Sequence, residues 1–314
     1  MEIIKFINAN VWKSEFHYLL CRIMYEVWLT KNYRRFSREQ VTKRRFKNVF
    51  CRDLDLQNPQ TLNEKIQWLK LNEYHDYYPK CADKYAMKQW VRDLLGTDKY
   101  NVPVLYHTSN WRDISENTVK QFPCIVKPNH SSHDFIILRS KEDVNWKQLR
   151  RRCRYWLKRD YYMESQELQY RDIPRQIVVE QLLENKEGRI PNDYKLNYLN
   201  GKLEFVYVSY DREGINARCV FDENWKVIPF YWGNSNQKEY VPCPIEIPTP
   251  RSFGKMKEIG KKIAEFFKYV RVDYYDVDGE LYIGEITLHH GGGFDRFRPK
   301  EYDKVFGDLL DLKA

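Results

Sequence analysis

Hydrophobic and polar positions alternate most clearly in residues 270–293, VRVDYYDVDGELYIGEITLHHGGG. This alternation predicts two antiparallel strands joined by a short turn. On the first strand Val270 and Val272 would face a core, while Arg271 and Asp273 would face the opposite way. The second strand carries a further carboxylate, and three consecutive glycines follow it.

The turn decides whether Asp273 and Glu285 lie on the same face of the hairpin, because a one-residue shift reverses every side chain of a strand. A two-residue turn at 278–279 would separate the two carboxylates. A three-residue loop over 277–279 would make them diagonal neighbours, roughly 7–8 Å apart at the backbone. We prefer the three-residue loop.

Two carboxylates this close repel each other unless a cation lies between them. Mg2+ bound by one or two carboxylates and by substrate phosphates meets that need. The alternative is a surface hairpin with scattered charges, and the hairpin alone does not decide between the two interpretations.

Helical spacing and alternation also predict most of the other elements. Thr61 and Glu64 have the spacing of a capping box at the start of one helix. We expect the basic helix over 143–161 to be a solvated outer helix. The predicted helices cover 3–29 (one or two helices), 61–74, 83–95, 143–161, 252–268 and 304–312. The predicted strands cover 101–106, 124–128, 135–140, 176–181, a hairpin over 192–212 that turns at Asn200-Gly201, 217–222 and 227–232.

A length of 314 residues leaves room for two or three subdomains. Hydrophobic residues at 42% and charged residues at 31% are typical of a folded protein. The seven cysteines are dispersed and never form a CxxC pair. This pattern argues against a disulfide framework and a zinc ribbon, and it fits a reducing cytoplasm. Neither a membrane span nor a cleaved signal is indicated.

Positive charge is concentrated at the N-terminus. The net charge is +9, and residues 1–50 hold 11 Lys/Arg against 4 Asp/Glu, which is +7 and leaves +2 for the rest. A basic amphipathic helix can contact an anionic membrane or an acidic polymer. Packing of these helices on their own domain is the alternative that we favour. Since no nucleic-acid-binding motif accompanies the charge, we expect no nucleic-acid partner.

A lysine, Lys127, ends the predicted strand CIVKP, and the polar loop NHSSHD follows it. A lysine next to a turn of small polar residues can present charge and backbone N–H groups to a phosphate chain. The alternative is an ordinary edge-strand lysine.

Taken in order, several motifs resemble the TupA-like ATP-grasp family, which is associated with bacterial teichuronopeptide and surface-polysaccharide synthesis. They are LNEKIQWLKL, ADKYAMKQWV, FPCIVKPNHSS, IVVEQLLEN, NDYKLNYLNGK, RVDYY and ELYIGEITLHHGGGF. The resemblance implies an α+β ATP-grasp fold, in which two α+β subdomains grip a nucleotide, with a helical basic N-terminal extension. The implied divisions are 1–60 (the extension), 61–120 (a helical N-terminal subdomain), 121–182 (the small lobe) and 183–314 (the large lobe with the metal site).

The resemblance also implies ATP and Mg2+ as cofactors. Lys84 and Lys127 would contact the nucleotide phosphates, and Ser131 and Ser132 would donate hydrogen bonds from a phosphate-covering loop. This loop, HSSHD, lacks the glycines that are usual in the family. The implied hinge, whose backbone would meet the adenine edge, is Glu180, Gln181 and Leu182.

The resemblance places the catalytic groups on the large lobe. Lys195, accompanied by Asp193, would face the phosphates, and Arg271 would steady the transferred phosphate. Thr287 stands where related ligases usually have Asn. His289 and His290 lie nearby without a third ligand, so we expect supporting or structural roles. The implied metal ligands are Asp273, Glu285 and Thr287.

The implied activity is an ATP-dependent carboxylate–amine ligase that forms an amide on a bacterial surface or capsular polysaccharide, or on its precursor, through an acyl phosphate. Its partners would be ATP, a glycan or uronic-acid carboxylate and an amine. We expect a cytoplasmic protein, and peripheral contact of residues 1–50 with the inner face of the membrane stays open as the alternative to packing on their own domain. The alternatives are a glycan phosphotransferase, a glycosyltransferase-like enzyme and a catalytically weakened ATP-grasp binding protein.

Overall fold

The structure is a computed structural model that describes residues 2–214, 217–233, 243 and 246–313. Residues 215–216, 234–242 and 244–245 belong to the expected 183–314 lobe and lie outside the described residues. The chain divides into two compact units. Unit 1 comprises Met1–Val41, Asp83–Ala86 and Pro103–Leu182, and unit 2 comprises Thr42–Ala82, Met87–Val102 and Leu183–Ala314.

The helices in chain order are α1 (Glu2–Asn10), α2 (Glu15–Leu29), α3 (Arg38–Phe50), α4 (Leu62–Asn72), α5 (Tyr78–Ala82), α6 (Ala86–Leu95), α7 (Trp146–Lys158), α8 (Tyr161–Ser165), α9 (Phe253–Ala264) and α10 (Glu301–Leu309). A π-helical turn, Thr30–Arg34, follows α2. The predicted capping box is present at α4, where Thr61 and Glu64 satisfy each other's backbone N–H groups.

The strands in chain order are β1 (Val104–Thr108), β2 (Cys124–Pro128), β3 (Ile136–Leu138), β4 (Ile177–Gln181), β5 (Asp193–Leu199), β6 (Lys202–Tyr210), β7 (Ala217–Phe221), β8 (Tyr231–Gly233), β9 (Tyr269–Val277), β10 (Glu280–Thr287) and β11 (Arg296–Arg298). Asn200 and Gly201, which join β5 to β6, both have positive φ, so the predicted hairpin turn is confirmed.

Unit 1 is built on an antiparallel sheet in the order β1-β4-β2-β3. Val126 and Val179 of this sheet share one hydrophobic core with Tyr25 of α2 and Trp156 of α7. The N-terminal helices therefore pack on their own unit, which is the alternative favoured from the sequence, because their inward apolar face completes this core.

The arginines of α7 hold the N-terminal helices, so the expectation of a solvated outer helix is wrong. Arg154 forms an ion pair with Glu15 at 2.5 Å, and its guanidinium lies over the Tyr18 ring. Arg151 donates to the Trp12 carbonyl at 3.2 Å. The basic pattern was misleading because long arginine side chains can lie along a neighbouring helix and hydrogen bond to its backbone.

Unit 2 contains an antiparallel sheet in the order β10-β9-β5-β6-β7 and a small β11-β8 sheet. Apolar side chains of the large sheet, including Leu196 and Val272, pack with Met256 and Ile263 of α9. The opposite face of β5, β9 and β10 carries charged side chains. Alternation within each strand separates this core from the opposite face, where the charged side chains adjoin a second apolar cluster that includes Phe205, Tyr207 and Tyr269.

Cys219 and Cys243 form a disulfide across 24 residues of sequence, with their Cα atoms 5.3 Å apart. The dispersed cysteines argue against a disulfide framework, but this one pair is bonded. Residue spacing could not indicate it, because only the tertiary fold brings the two Cα atoms within bonding range.

Candidate functional site

The hairpin of β9 and β10 turns over two residues. Val277 pairs with Glu280, and both Asp278 (φ 54°) and Gly279 (φ 99°) have left-handed backbones. The preferred three-residue loop is therefore wrong. The physical reason is that an Asp-Gly pair accepts positive φ at both positions, which a tight two-residue hairpin turn requires.

A β-bulge at Gly284 shifts the pairing of β10 by one residue and so compensates for the two-residue turn. Ile283 pairs with Tyr274, but the next paired residue of β10 is Glu285, which lies directly opposite Asp273. One extra residue on β10 returns its side chains to the polar face. The two carboxylates are direct cross-strand neighbours rather than diagonal ones.

Glycine is required at the bulge because the ring of Tyr275 lies against it. A Cβ atom at Gly284 would be 2.7 Å from Cε2 of that ring, which is closer than real Cβ atoms approach. The sequence reasoning did not single out this glycine. An isolated glycine inside a strand pattern was the available signal, since it often marks a bulge.

Strand β5 adds a third member to the row. Lys195 pairs with Asp273, which in turn pairs with Glu285, so three charged residues lie side by side on adjacent strands. Arg271 and Thr287 form the next cross-strand pair on the same face. Directly opposite residues in antiparallel strands point to the same side of the sheet.

Cations surround the carboxylate of Asp273. Arg271 donates to both of its oxygens at 2.6 and 2.7 Å, and Lys195 Nζ donates to Oδ2 at 2.8 Å. Lys195 also pairs with Asp193. Burial opposes the charged form of Asp273, but Arg271 and Lys195 outweigh it and hold the pKa of this carboxyl below its usual value. Asp273 is therefore ionised in the folded protein at neutral pH.

His290 orients Arg271 through a hydrogen bond to its guanidinium. Arg271 Nη1 lies 2.7 Å from His290 Nδ1 and can only donate, so Nδ1 accepts and the ring proton is on Nε2. Nε2 lies 3.2 Å from Asp295 Oδ2, and the ring stacks on Trp232 with centroids 3.9 Å apart. Burial lowers the pKa of His290, which is consistent with a neutral imidazole. This position agrees with the supporting role expected for the histidine.

Helix α4 holds the triple-glycine loop, a role that the sequence reasoning missed. Gln67 Nε2 donates to the carbonyls of Gly292 and Gly293 at 3.0 and 2.7 Å, and the buried Lys70 donates to Gly292 at 3.0 Å. Gly293 has φ +73°, and a Cβ there would be 2.7 Å from Gln67 Nε2. Polar residues at helical spacing within the apolar stretch LNEKIQWLKL were the only signal.

The polar face fits Mg2+ by the chemistry of its donors. Asp273 and Glu285 lie directly opposite each other on β9 and β10. Mg2+ takes hard oxygen ligands and leaves places for phosphate. Within the described part of the chain, Thr287 Oγ1 and Asp193 Oδ1 are buried without a hydrogen-bond partner. Among all the residues that the structure describes, no three or more His, Cys, Asp or Glu side chains form a cluster suited to a metal. The remaining ligands would therefore have to come from substrate phosphate and water.

In unit 1 the two predicted phosphate-binding lysines already have protein partners. Lys127 Nζ lies 2.5 Å from Glu180 Oε2, and both side chains are largely buried. Lys84 Nζ donates to the Ser131 carbonyl, and its backbone N–H donates to the Asn129 carbonyl at 3.2 Å. Both lysines are thus fixed at the loop that follows β2.

A chain of charged hydrogen bonds connects this loop to α2. Ser131 Oγ donates to Asp134 Oδ2 at 2.9 Å, and Arg159 joins Asp134 to Glu164 through contacts of 2.5 to 2.7 Å. Tyr25 closes the chain by donating to Glu164 Oε1 at 2.8 Å. Ser131 is buried, so its hydroxyl would have to leave Asp134 to reach a phosphate. Ser132 is half-buried beside it.

The predicted hinge residues lie at the end of β4, with Glu180 and Gln181 in the strand and Leu182 directly after it. The Gln181 N–H donates to the Pro103 carbonyl at 3.0 Å, and the Leu182 N–H donates to the Pro123 carbonyl at 3.2 Å. An adenine edge could use these two N–H groups only by displacing those bonds.

Comparison with known proteins identifies the family of the chain. A family model described as TupA-like ATPgrasp matches residues 64–311. The fold is that of an ATP-grasp protein. The chain belongs to the TupA-like ATP-grasp family, and the predicted family and fold class are confirmed. No curated protein matches the chain.

Solved structures with a similar fold are remote in sequence. The L-amino acid ligase from Bacillus licheniformis is 15% identical, with a TM-score of 0.44, over 74% of this chain and 49% of that one. The D-alanine-D-alanine ligase from Helicobacter pylori is 13% identical (TM-score 0.43; 80% and 67% covered). The ATP-grasp ligase PsnB with precursor, Mg and ADP is 12% identical (TM-score 0.39; 73% and 58% covered). The chain spans about half the length of the L-amino acid ligase.

Proposed function

We propose that the chain is an ATP-dependent carboxylate–amine ligase that forms an amide on a bacterial surface or capsular polysaccharide, or on a precursor of one. The observation that carries this proposal is the row of Lys195, Asp273 and Glu285 beside Arg271. Adjacent carboxylates suit Mg2+, and the cations next to them suit the phosphates of a nucleotide. Membership of the TupA-like ATP-grasp family supports ATP as that nucleotide.

The proposed reaction has two steps. A carboxylate oxygen of a glycan uronic acid attacks the γ-phosphorus of ATP, the bond from phosphorus to the ADP oxygen breaks, and an acyl phosphate and ADP result. An amine then attacks the acyl carbon and loses a proton, and the bond to phosphate breaks. The products are an amide and inorganic phosphate.

Most of the catalysis in this scheme is positioning and electrostatic stabilisation. Asp273, Glu285 and Thr287 would hold Mg2+, which when bound offsets phosphate charge. Arg271, fixed by neutral His290, would stabilise negative charge on the transferred phosphoryl group. Lys195, which Asp193 orients, would contact the phosphates.

Unit 1 contributes nucleotide-binding groups. Lys84 and Lys127 would bind phosphate oxygens as point charges, with Ser131 and Ser132 donating from the loop between β2 and β3. Residues 180–182 would lie along the adenine. Because ATP is the proposed co-substrate, we place the reaction in the cytoplasm.

The deciding experiment is an ADP-release screen in which uronic-acid donors are combined with amino acids and amino sugars, and products are examined by mass spectrometry. A new amide that appears only with ATP, Mg2+, carboxylate and amine together is the expected result. A phosphorylated glycan without an amide would instead identify a phosphotransferase. Transfer of a sugar from a nucleotide donor would identify a glycosyltransferase. No binding of Mg-ATP in a calorimetric titration would leave a binding protein on a weakened ATP-grasp fold.

A further inference from the structure

Helix α2 has an apolar stripe that faces away from the core of unit 1. Phe16 is 72% exposed, Ile23 63% and Val27 63%. With Leu19 and Leu20, which are also exposed, they follow the spacing i, i+3, i+4, i+7 and i+11 on one side of the helix. These five side chains are called the outer stripe. Isolated exposed apolar residues are ordinary, but a continuous row of five marks an interaction surface.

The outer stripe is not the core face of α2. That face consists of Tyr18, Cys21, Tyr25 and Leu29, all of which are buried against α7 and the unit 1 sheet. At 100° per residue, the two sets lie on roughly opposite sides of the helix. The helix is therefore apolar on two sides, and packing of unit 1 accounts for only one of them.

Charges around the outer stripe are positive. The two acidic residues of α2 are engaged by arginines, Glu15 with Arg154 and Glu26 with Arg22 and Arg34. Basic residues are exposed at both ends of the stripe, Lys13 before α2 and Lys31 and Arg35 after it. A surface that complements this face must be apolar along the helix and negative at both ends.

We propose that the outer stripe of α2 docks on an anionic lipid bilayer, with α2 lying in the plane of the interface and the basic residues contacting the headgroups. An anionic bilayer has acyl chains to receive the stripe and negative headgroups on every side of it. A second copy of the chain fits less well. Whether two α2 helices paired parallel or antiparallel, basic ends would meet basic ends.

The length of the helix supports a flat orientation. Fifteen residues form a helix about 22 Å long, which is shorter than the roughly 30 Å hydrocarbon core. In the part of the chain that the structure describes, no helix has the length and hydrophobicity needed to cross a bilayer. Contact through one helical face is the geometry that remains for this segment.

The test is co-sedimentation of the full chain with phosphatidylcholine vesicles containing about one third phosphatidylglycerol, against vesicles of phosphatidylcholine alone. We expect binding to the anionic vesicles that weakens in high salt. The double variant Ile23→Glu/Val27→Glu should reduce the partition coefficient by about tenfold or more. The matched control Val305→Glu/Leu309→Glu changes two exposed apolar residues with the same spacing on α10 and should bind like the wild type.

A second pair of substitutions isolates the charge. Lys31→Glu/Arg35→Glu leaves the outer stripe intact and should lower binding to anionic vesicles by about fivefold or more, with little effect on pure phosphatidylcholine. Sedimentation velocity of the same proteins tests the alternative occupant. A wild-type dimer that Ile23→Glu/Val27→Glu converts to a monomer, without vesicle binding, would assign the stripe to a second copy and overturn the proposal.

Equal vesicle binding by the wild type and Ile23→Glu/Val27→Glu, or no binding by either, would also overturn it. The vesicle assay uses neither ATP nor a glycan, so its outcome is independent of the proposed ligase activity. Conversely, ADP release from soluble substrates by Ile23→Glu/Val27→Glu should equal that of the wild type.

Discussion

Glu285 lies directly across from Asp273 only because a single extra residue, Gly284, bulges out of β10. The two-residue turn alone would have placed Glu285 on the core face. The candidate metal site therefore depends on a backbone irregularity at a single residue of β10.

Replacing Asp273 with Asn should remove Mg2+-dependent ADP release, with a fall of about 100-fold or more, because one of the two facing carboxylates loses its charge. Asn is nearly isosteric, but Arg271 and Lys195 lose their anionic partner, so circular dichroism and the Mg2+ dependence of ATP affinity should be measured alongside. Glu280→Gln, an exposed change in the same hairpin, is the control and should leave activity unchanged. Unchanged turnover in Asp273→Asn would remove the metal assignment.

Replacing Gly284 with Ala should destabilise the protein by about 1–3 kcal/mol, because the new Cβ meets the Tyr275 ring and the bulge must shift. A slip of β10 would also separate Glu285 from Asp273, so Mg2+ should no longer strengthen ATP binding. Urea unfolding and titration calorimetry measure the two effects. At Gly254, near the start of α9, an added Cβ would meet no neighbouring atom within 4 Å. Gly254→Ala should therefore be neutral or mildly stabilising. Equal effects of both substitutions would argue against the bulge.

Replacing Tyr25 with Phe should cost about 1–3 kcal/mol, because its hydroxyl both donates to Glu164 and accepts from the Asp160 N–H at 2.9 Å. Tyr155 offers a matched control in the same core. Its hydroxyl is buried without a hydrogen-bond partner among the described residues, so Tyr155→Phe should be neutral or stabilising. Comparison of the two unfolding midpoints in urea is the measurement, and a larger loss in Tyr155→Phe would contradict the network.

Acid should destabilise unit 1 through His130. Burial lowers the pKa of this histidine to about 3, from about 6.5 in the unfolded chain. Positive charge on Arg175, Lys84 and Arg159 contributes to this shift, while a hydrogen bond to the Trp156 carbonyl opposes it. The unfolded state then binds a proton that the folded state does not, so stability is fully present above pH 6.5 and is lost as the pH falls toward 3.

The loss at pH 5 should be about 2 kcal/mol, since one pKa unit corresponds to about 1.4 kcal/mol. Replacing His130 with Gln removes the titrating group. We therefore expect the melting temperature of the variant to fall less than that of the wild type between pH 7 and pH 5. Calorimetric scans at both pH values provide the comparison. Parallel pH profiles would show that His130 titrates normally.

Much of the fold follows from local sequence. The strand β2 coincides with the predicted 124–128 because apolar residues alternate there between a proline-bounded start and a polar loop. The capping box at Thr61 and the Asn200-Gly201 turn could also be predicted from local sequence. In each case the backbone conformation is set by residues within a few positions of one another.

The two-residue Asp278-Gly279 turn was a local failure of prediction, but the other failures involve partners that are distant in sequence. The arginines of α7 could not be assigned to α1 and α2, and Gln67 could not be assigned to the glycine loop, because more than 100 residues separate the contacting groups. The Cys219–Cys243 disulfide likewise depends on the tertiary fold, which brings together two cysteines that are 24 residues apart.

The sequence by itself determined which residue types this protein brings to its candidate site, namely two carboxylates on adjacent strands, nearby cations and a glycine loop. Side-chain alternation is a local property, so it could be recognised without a structure. Only the tertiary structure decided how these residues meet. The register of β10 depends on the Tyr275 ring packing on Gly284, and the orientation of Arg271 depends on His290 and Trp232 behind it. Packing between distant segments is cooperative, and a pattern along one segment does not contain it.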